Sequence, residues 1–339
     1  MIAALVQKYM TKRVMAIIQN ALNSIRIFAL CAICASSIQC NSGVLIKQEI
    51  GEVLELEPMS MSHHEDLASV MSLSYLGDKF IASFSRDTML LGIVDTTFQL
   101  KSRFVRRGRG PGELLAPYVT GQYSRINGES LVNVFERASN RMLYYFIDSL
   151  GRERLVKSDS LSLNRGDMRI AFQTADGFWG ILDNNSQSIF TTDSSGKQLN
   201  IHEIHKHDKK SNDFQSIATA HSSYAKFALA YFSIPRIDII GINGNLLHTV
   251  DFKASLMGIG PDVADDFFLD IRSTSDSIYA LLNYSEEHDV ILCLDWEGNM
   301  KGAFGIAKSE SFCLLNQQTI LATSHDLEGL VINKYVIPI

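Results

Sequence analysis

The stretch Phe104–Pro117, FVRRGRGPGELLAP, places three glycines and three arginines close together. Glycine-rich loops hold phosphate groups when their backbone N–H groups point at the ligand and a helix begins directly afterwards. Here a proline and a strand-like pattern follow the glycines instead of a helix start. The stretch is therefore interpreted as a connector between two sheets, because glycine and proline favour tight loops.

Histidines and carboxylates could provide a second kind of chemistry, metal binding. The weak candidates are His221 and Asp270, which lie in segments predicted to be strands and could hold Ca²⁺ or Zn²⁺. Such an ion would make the protein a metal-dependent hydrolase or lyase, which is the alternative hypothesis. The cluster His202, His205 and His207 lies beside lysines, as in a solvated loop. No metal site is assigned, no cofactor is predicted, and the catalytic residues are unknown.

Charge and cysteine content limit the class of partner. Residues 1–39 contain four Lys or Arg and no Asp or Glu, so residues 40–339 carry 27 basic and 37 acidic residues, a formal net charge of −10. An acidic chain is a poor partner for nucleic acid. After Cys40 the only cysteines are Cys293 and Cys313, both in apolar strand patterns that predict burial. The spacing leaves open whether they form a disulfide.

The rest of the chain repeats one structural pattern. Short apolar runs alternate with polar turns, and no long segment keeps the 3.6-residue period of a helix. Six strand–turn–strand units have turn centres spaced 52, 46, 48, 53 and 40 residues apart, at Asp87, Ser139, Asn185, Ser233, Glu286 and Asp326. A period of this size is typical of propeller blades with four strands each. The sequence predicts an all-β fold, a six-bladed β-propeller with four-stranded antiparallel blades.

Each blade also needs an innermost strand and a closing turn. The candidate inner strands are Leu67–Tyr75, Val119–Ile126, Met168–Thr174, Ile217–Tyr224, Phe267–Ser273 and Ser311–Asn316. Turns of the type Asp148-Ser-Leu-Gly151 recur after the third strands, and the first blade has Phe98 where the others have glycine. That turn should be longer or more strained. The sixth blade lacks an outer strand, which Val44–Glu57 could supply by closing the ring.

One blade resembles a known repeat. The loop GPGEL, the spacer to Pro117 and the run GESLVNVFERASNRMLYYFIDSLGRERL resemble the NHL-type blade, with Glu136 where that pattern has aspartate. Together with the leader described next, the chain resembles the TolB-like six-bladed propeller lipoproteins of Gram-negative anaerobic bacteria. This resemblance implies an exported binding protein of the cell envelope. It does not imply an activity, because one propeller fold supports many functions.

The N-terminus has the features of an export signal. Ile27–Ala35 is an uninterrupted apolar run of nine residues, too short to span a bilayer as a helix. It ends in Ser-Ser-Ile-Gln-Cys, which resembles a bacterial lipobox with Cys40 as the lipidated residue. The predicted division is 1–39 signal peptide, 40–57 lipidated N-terminus and closing strand, and 58–339 propeller. Asn41 after the cysteine implies the outer membrane by this resemblance, with the side left open.

The turns on one side of the predicted propeller carry most of the candidate binding residues. We expect a polar, mixed-charge rim around the central channel, with these members: Arg86, Arg106, Arg107, Arg109, Glu136, Arg137, Asp183, Glu286, His288 and His325. The main hypothesis is a non-catalytic, lipid-anchored propeller that binds a glycan, a peptide or a partner protein through this rim. Charged turns also keep strand ends solvated, which is the simpler explanation for any single residue.

Overall fold

The computed structural model describes residues 43–338 except 86, 162–166, 175, 184–187, 204–215, 222, 224, 233 and 253–265. For residues 167, 182, 183 and 201–203 it describes the backbone alone. The predicted signal peptide, Cys40, Arg86, His205 and His207 therefore lie outside the described residues. No helix in the described part is long and apolar enough to cross a membrane.

The described chain is built almost entirely from strands. Three strands come first, β1 (Val44–Gln48), β2 (Leu54–Glu55) and β3 (Ser60–His64), followed by a short 3₁₀ turn, Glu65–Leu67. Blades 1 and 2 contain β4 (Val70–Tyr75), β5 (Phe80–Phe84), β6 (Met89–Val94), β7 (Leu100–Arg106), β8 (Pro117–Ile126), β9 (Glu129–Glu136), β10 (Arg141–Ile147) and β11 (Glu153–Ser160), with a 3₁₀ turn at Arg137–Ser139. Blades 3 and 4 contain β12 (Asp167–Gln173), β13 (Gly177–Asp183), β14 (Ser188–Asp193), β15 (Gln198–Glu203), β16 (Ser216–Ala220), β17 (Lys226–Tyr231), β18 (Arg236–Gly241) and β19 (Leu246–Phe252). Blades 5 and 6 contain β20 (Phe268–Ser273), β21 (Ile278–Leu282), β22 (His288–Leu294), β23 (Met300–Ala307), β24 (Ser311–Leu314), β25 (Thr319–His325) and β26 (Leu330–Val336).

These strands form six small sheets, and the blade strands in each are antiparallel to their neighbours. The first strand of each blade contacts the first strands of other blades and lines the central channel. All six predicted inner strands coincide with these first strands within a few residues at each end. The predicted six-bladed β-propeller is confirmed.

The N-terminal segment closes the ring, but with a different strand from the one predicted. β3 pairs antiparallel with β26 and supplies the fourth strand of blade 6. The prediction that Val44–Glu57 supplies the outer strand of blade 6 was wrong. Instead, β1 adds parallel to β19 of blade 4, and β2 adds parallel to β23 of blade 5. These two strands cover the outer edges of their blades, which limits pairing with other chains.

The core lies between blades, so both faces of most strands are apolar. In β21 (sequence IYALL) all five side chains are buried. Ile278, Ala280 and Leu282 pack into one interblade core, while Tyr279 and Leu281 pack into the next. This alternation follows from the two-residue period of a strand. It explains why middle strands such as β21 look like continuous apolar runs in the sequence.

The recurring Asx–Gly turns form as predicted. In the turn after β10, the backbone N–H groups of Leu150 and Arg152 each donate to Asp148 Oδ1 at 2.9 Å, and Gly151 takes φ +75°. In the first blade, Phe98 takes φ +60° without being glycine, so this turn keeps its length and is strained. The Phe98 ring stacks on Phe80 with centroids 5.4 Å apart, which offsets part of that strain.

Both mature-chain cysteines are buried thiols that are not bonded to each other. Cys293 packs between blades 5 and 6, and Cys313 packs between blades 6 and 1. Burial raises the pKa of Cys313 to about 12, against the lowering effect of Arg272. Both therefore behave as core residues and not as reactive groups.

Candidate functional site

Different loops surround the two ends of the propeller channel. Because strands alternate in direction, the loops leading into the inner strands and the second-to-third hairpins lie on one face, named here the front face. The first-to-second hairpins and the Asx–Gly turns lie on the opposite back face. The predicted rim residues, except Arg86, which lies outside the described residues, are in or next to the loops of this front face.

The glycine-rich loop between blades 1 and 2 is organised around its own glutamate. The Gly110 N–H donates to Glu113 Oε2 at 2.8 Å. A Cβ added at Gly108 would lie 1.9 Å from that oxygen, and one at Gly110 would lie 2.9 Å from it. Glycine at these two positions leaves room for the carboxylate where it lies, so loop structure accounts for the motif. The interpretation as a connector agrees with this geometry.

Glu136 has a structural role, which corrects its prediction as a surface rim residue. Its side chain is buried, with 2% exposed. Its carboxylate accepts hydrogen bonds from the backbone N–H of Leu115 at 3.1 Å and of Ala116 at 3.3 Å. These bonds hold the loop that leads into β8. The residue was placed on the rim because it ends a strand next to a turn, but its side chain points inward.

The front face contains a cavity at the channel end, named here the arginine mouth. Three arginines, Arg107, Arg137 and Arg169, line its volume of about 400 Å³. The apolar wall between them includes Met71, Phe84, Leu115, Pro117, Ile170 and Ile217. The arginine mouth is therefore the candidate functional site.

Backbone and aromatic contacts position the arginines. The Arg107 guanidinium donates to the carbonyl oxygens of Ser85 at 2.5 Å and Asp87 at 3.2 Å. Carbonyl partners fix its direction without neutralising its charge. The backbone N–H of Arg137 donates to the Ala116 carbonyl at 3.2 Å. The Arg169 guanidinium lies 5.4 Å from the centroid of the Phe232 ring.

This arrangement suits an anion that carries an apolar body. Guanidinium groups bind carboxylate or phosphate oxygens in a planar, two-point geometry. Apolar walls lower the local dielectric constant and so strengthen these contacts. Most small-molecule sites combine an apolar cavity of similar size with a few polar groups.

The other predicted rim residues are not brought together at the mouth. The Arg106 Nε atom lies 3.9 Å from Glu113 Oε1 and is well exposed, while Arg109 and Glu286 are exposed and line none of the cavities described. His288 lies nearer the outer strands, with Nε2 3.7 Å from Glu55 Oε1. Asp183 ends β13, the second strand of blade 3.

His325 belongs to a separate, wide depression between blades 1 and 6. Its volume is about 1140 Å³, and carboxylates line it together with the histidine. His325 Nδ1 lies 2.8 Å from Glu310 Oε2, and His63 Nδ1 lies 3.1 Å from Asp326 Oδ2. The depression adjoins the mouth, because Met71 and Ser85 line both.

Asp270, Arg272 and Tyr118 lie together behind the mouth, with Asp270 buried and the other two partly buried. Arg272 Nη1 lies 2.6 Å from Asp270 Oδ1, and the guanidinium lies near the Tyr118 side chain. Burial raises the pKa of Asp270, against the lowering effect of Arg272 and two backbone N–H groups. Tyr118 lines the arginine mouth and also the cavity behind it.

The two metal candidates do not fit a shared ion. Asp270 is occupied by Arg272 and by the N–H groups of Ile271 and Phe312. His221 lies at the back face, where Nε2 is 2.8 Å from the Ser275 carbonyl oxygen and must donate to it. Within the described ranges, no group of three or more His, Cys, Asp or Glu residues could hold a metal.

Sequence reasoning did not select Arg169 and Arg272. Both lie inside predicted inner strands, DMRIAFQ and FLDIRS, while the candidates were taken from turns. A single arginine within an otherwise apolar inner strand was the available signal, because such a charge must find a partner or a cavity.

The solved structures that are similar to this chain include two Bacteroides proteins. One, a Bacteroides fragilis NCTC 9343 protein whose name describes it as exported, gives a TM-score of 0.53 at 11% identity, over 86% of this chain and 99% of that one. The other, a member of the DUF4221 family from Bacteroides vulgatus ATCC 8482, gives a TM-score of 0.56 at 9% identity, over 83% and 97%. No protein-family profile matches the sequence, and no curated protein does. At these identities the similarity shows the fold alone, a six-bladed β-propeller shared with these Bacteroides proteins.

Proposed function

We propose that this protein is a non-catalytic binding module, and that its arginine mouth holds a carboxylate carried by a peptide or by the surface of a partner protein. The observation that carries the proposal is the lining of the mouth. Three arginines, Arg107, Arg137 and Arg169, line one apolar-walled cavity of about 400 Å³. A carboxylate entering this cavity would receive charge-assisted hydrogen bonds, each contributing about 1.5–3 kcal/mol.

Because the chain as a whole is acidic, three arginines around one cavity are a stronger indication of an anionic ligand. Residues 40–339 carry 27 basic and 37 acidic residues, so three arginines around one cavity depart from the average composition of the chain. A local positive potential attracts an anionic ligand even when the whole protein is acidic. An acidic glycan shares the required carboxylate and is the competing ligand in the test below.

The proposal includes export and attachment to the outer membrane through Cys40. The apolar run Ile27–Ala35 followed by the lipobox-like sequence supports it, as does the fold shared with a protein described as exported. A lipoprotein carries several acyl chains, and two or more chains anchor a protein stably where one does not. Replacing Cys40 with alanine should move the protein to the soluble fraction. Retention in the membrane fraction would refute the anchor.

The binding proposal is tested by calorimetric titration of the purified protein with short peptides that end in a free carboxylate. The same peptides with amidated ends and uronate-ended oligosaccharides serve as comparison ligands. The free-carboxylate peptides should bind, and Arg137→Gln should weaken them about tenfold, or ~1.4 kcal/mol. Arg109→Gln is the matched control, because it removes the same charge from the same face outside the mouth.

Three outcomes separate the alternatives. Loss of affinity in Arg137→Gln with retention in Arg109→Gln supports the mouth as the peptide site. Preference for the uronate-ended oligosaccharides would assign the site to an acidic glycan instead. Equal binding of amidated and free peptides, or equal affinity in the two variants, would contradict the proposal.

A further inference from the structure

A second cavity occupies the back-face side of the channel and has a different chemistry from the mouth. It has a volume of about 330 Å³ and lies between the inner strands of blades 1, 2, 4 and 5. We name it the hydroxyl well, because Ser74, Thr120, Thr219, Ser273 and Tyr123 contribute hydroxyl groups to its lining. Its apolar lining residues are aliphatic, and Ala218 and Ala220 are the smallest of them.

The well carries no unpaired charge. Its one charged lining residue is Arg272, whose guanidinium lies 2.6 Å from Asp270 Oδ1. An anion would therefore compete with Asp270 for the guanidinium, and a cation would find no carboxylate in the described lining. An apolar ligand would leave the Ser74 hydroxyl without a partner among the described residues, which costs about 1–3 kcal/mol for a buried group.

The wall of the well is fixed before any ligand arrives. β8 carries a bulge in which residues 120–122 face one residue of β9. The Thr120 hydroxyl donates to the Asn133 carbonyl at 3.1 Å, and the Gln122 side-chain amide donates to the Gln173 carbonyl at 2.8 Å. Gly121 takes φ +75°, and a Cβ there would meet nothing within 4 Å, so the backbone faces open space. A prearranged polar wall lowers the entropic cost of binding.

Two features of the lining are available to a ligand. Ser74 is 9% exposed, and its hydroxyl makes no hydrogen bond to the described residues. The Tyr123 side chain is 39% exposed and offers both an aromatic face and a hydroxyl edge. The inner strands also leave one backbone edge unpaired toward the channel, because each stands at the end of its sheet.

We propose that the hydroxyl well binds one ring of a neutral saccharide, as a second ligand site independent of the arginine mouth. A sugar ring presents hydroxyl groups to Ser74 and the strand edges, and its C–H face to Tyr123. The Thr219 hydroxyl lies 2.8 Å from Ser273 Oγ, which itself donates to the Ala220 carbonyl, so Thr219 can still accept a hydrogen bond from the sugar. A neutral sugar needs no charged partner in the well, where the one charged lining residue, Arg272, is already paired with Asp270. A free monosaccharide and the terminal ring of a glycan share this chemistry.

The test measures binding of glucose, galactose, mannose, N-acetylglucosamine and their methyl glycosides to the purified protein by ligand-observed NMR and calorimetry. At least one sugar should bind. Ser74→Met should weaken it at least tenfold, because the longer side chain occupies the well. Ser72→Met is the matched control, since Ser72 is two residues earlier on the same strand and lines none of the described cavities.

A second variant keeps the proposal testable if Ser74→Met does not fold. Thr219→Val preserves side-chain shape and removes a hydroxyl, so it should weaken the same sugar about two- to tenfold. Equal affinity for a methyl glycoside would assign the terminal ring of a glycan, and preference for the free sugar would assign a monosaccharide. Absence of binding by every sugar, or equal affinity in the Ser74→Met and Ser72→Met variants, would overturn the proposal. Peptide binding at the mouth should be unchanged in all three variants.

Discussion

The arginine mouth and the hydroxyl well share one channel and differ in almost every chemical property. Tyr118 and Ala218 line both cavities, so the two are neighbours within the ring. The mouth combines apolar walls with three arginines, whereas the well combines hydroxyl groups with one arginine that is already paired. A propeller can thus present two unrelated surfaces at the two ends of the same inner strands.

The difference arises from position along each strand. The starts of the inner strands and the front-face loops supply the arginines and the larger apolar side chains, and the later residues of the same strands supply serine and threonine. The group formed by Tyr118, Asp270 and Arg272 lies between these sets. Its contacts are satisfied internally, so each cavity can bind its ligand without the other.

The largest expected effect comes from removing Arg272, which pairs with Asp270 between the two cavities. Arg272→Met would leave the Asp270 carboxylate buried without its cation, which should lower the free energy of unfolding by about 3–5 kcal/mol. Urea denaturation measures this loss of stability. The control is Arg152→Met, which removes an exposed arginine on the back face. The double variant Asp270→Asn, Arg272→Met should be more stable than the single variant. If Arg272→Met lowers the free energy of unfolding by less than about 1 kcal/mol, the Asp270–Arg272 pair does not stabilise this part of the channel.

A smaller effect is expected at the loop that supports the mouth. Glu136→Ala would leave the N–H groups of Leu115 and Ala116 without acceptors, lowering the free energy of unfolding by about 1–3 kcal/mol. It should also weaken peptide binding, because Leu115 and Pro117 line the mouth. Glu286→Ala, at an exposed front-face residue, should change stability by less than about 0.5 kcal/mol. Equal stability of the two variants would refute the structural role of Glu136.

The smallest effect concerns the turns of the back face. Although burial opposes ionisation, hydrogen bonds from Lys101, the Gln99 N–H and Thr97 hold the pKa of Asp95 well below its usual range. A depressed folded-state pKa stabilises the protein above the unfolded value of about 3.9, and this contribution is lost as pH falls below it. Denaturation from about pH 5 to 2 should show a shallower loss of stability for Asp95→Asn than for wild type. If stability falls equally steeply with pH in Asp95→Asn and wild type, the stabilising role of the ionised Asp95 is contradicted.

The propeller could be predicted because its signals are local and repeated. Turn residues such as Asp148 and Gly151 fix hairpins through hydrogen bonds within a few residues, and turns of this kind close blades 1 to 5. Six strand–turn–strand units also repeat at a blade-sized spacing. The closing strand could not be predicted, because SMSHH at β3 has no strong strand pattern and forms by pairing with β26. Pairing across the whole chain is a tertiary choice that overrides local preference.

The candidate site was only partly visible in the sequence. Arg107 and Arg137 were selected because they lie in front-face loops, and both line the mouth. Arg169 and the well residues lie within inner strands, where a pattern shows burial without showing which side chains face a cavity. Glu136 shows the reverse error, since a charged residue at a turn was taken as exposed and is buried. The sequence locates the strands, but the packing of six blades decides which residues meet.

The most direct test measures both ligands on both variants at two ionic strengths. Arg137→Gln should lose the carboxylate peptide and keep the sugar, and Ser74→Met should lose the sugar and keep the peptide. Added salt should weaken the peptide alone, because ions screen interactions between charges and leave a neutral ligand unaffected. If either variant loses both ligands while remaining folded, or if neither loses its own, the account of two independent sites at opposite ends of one channel is contradicted.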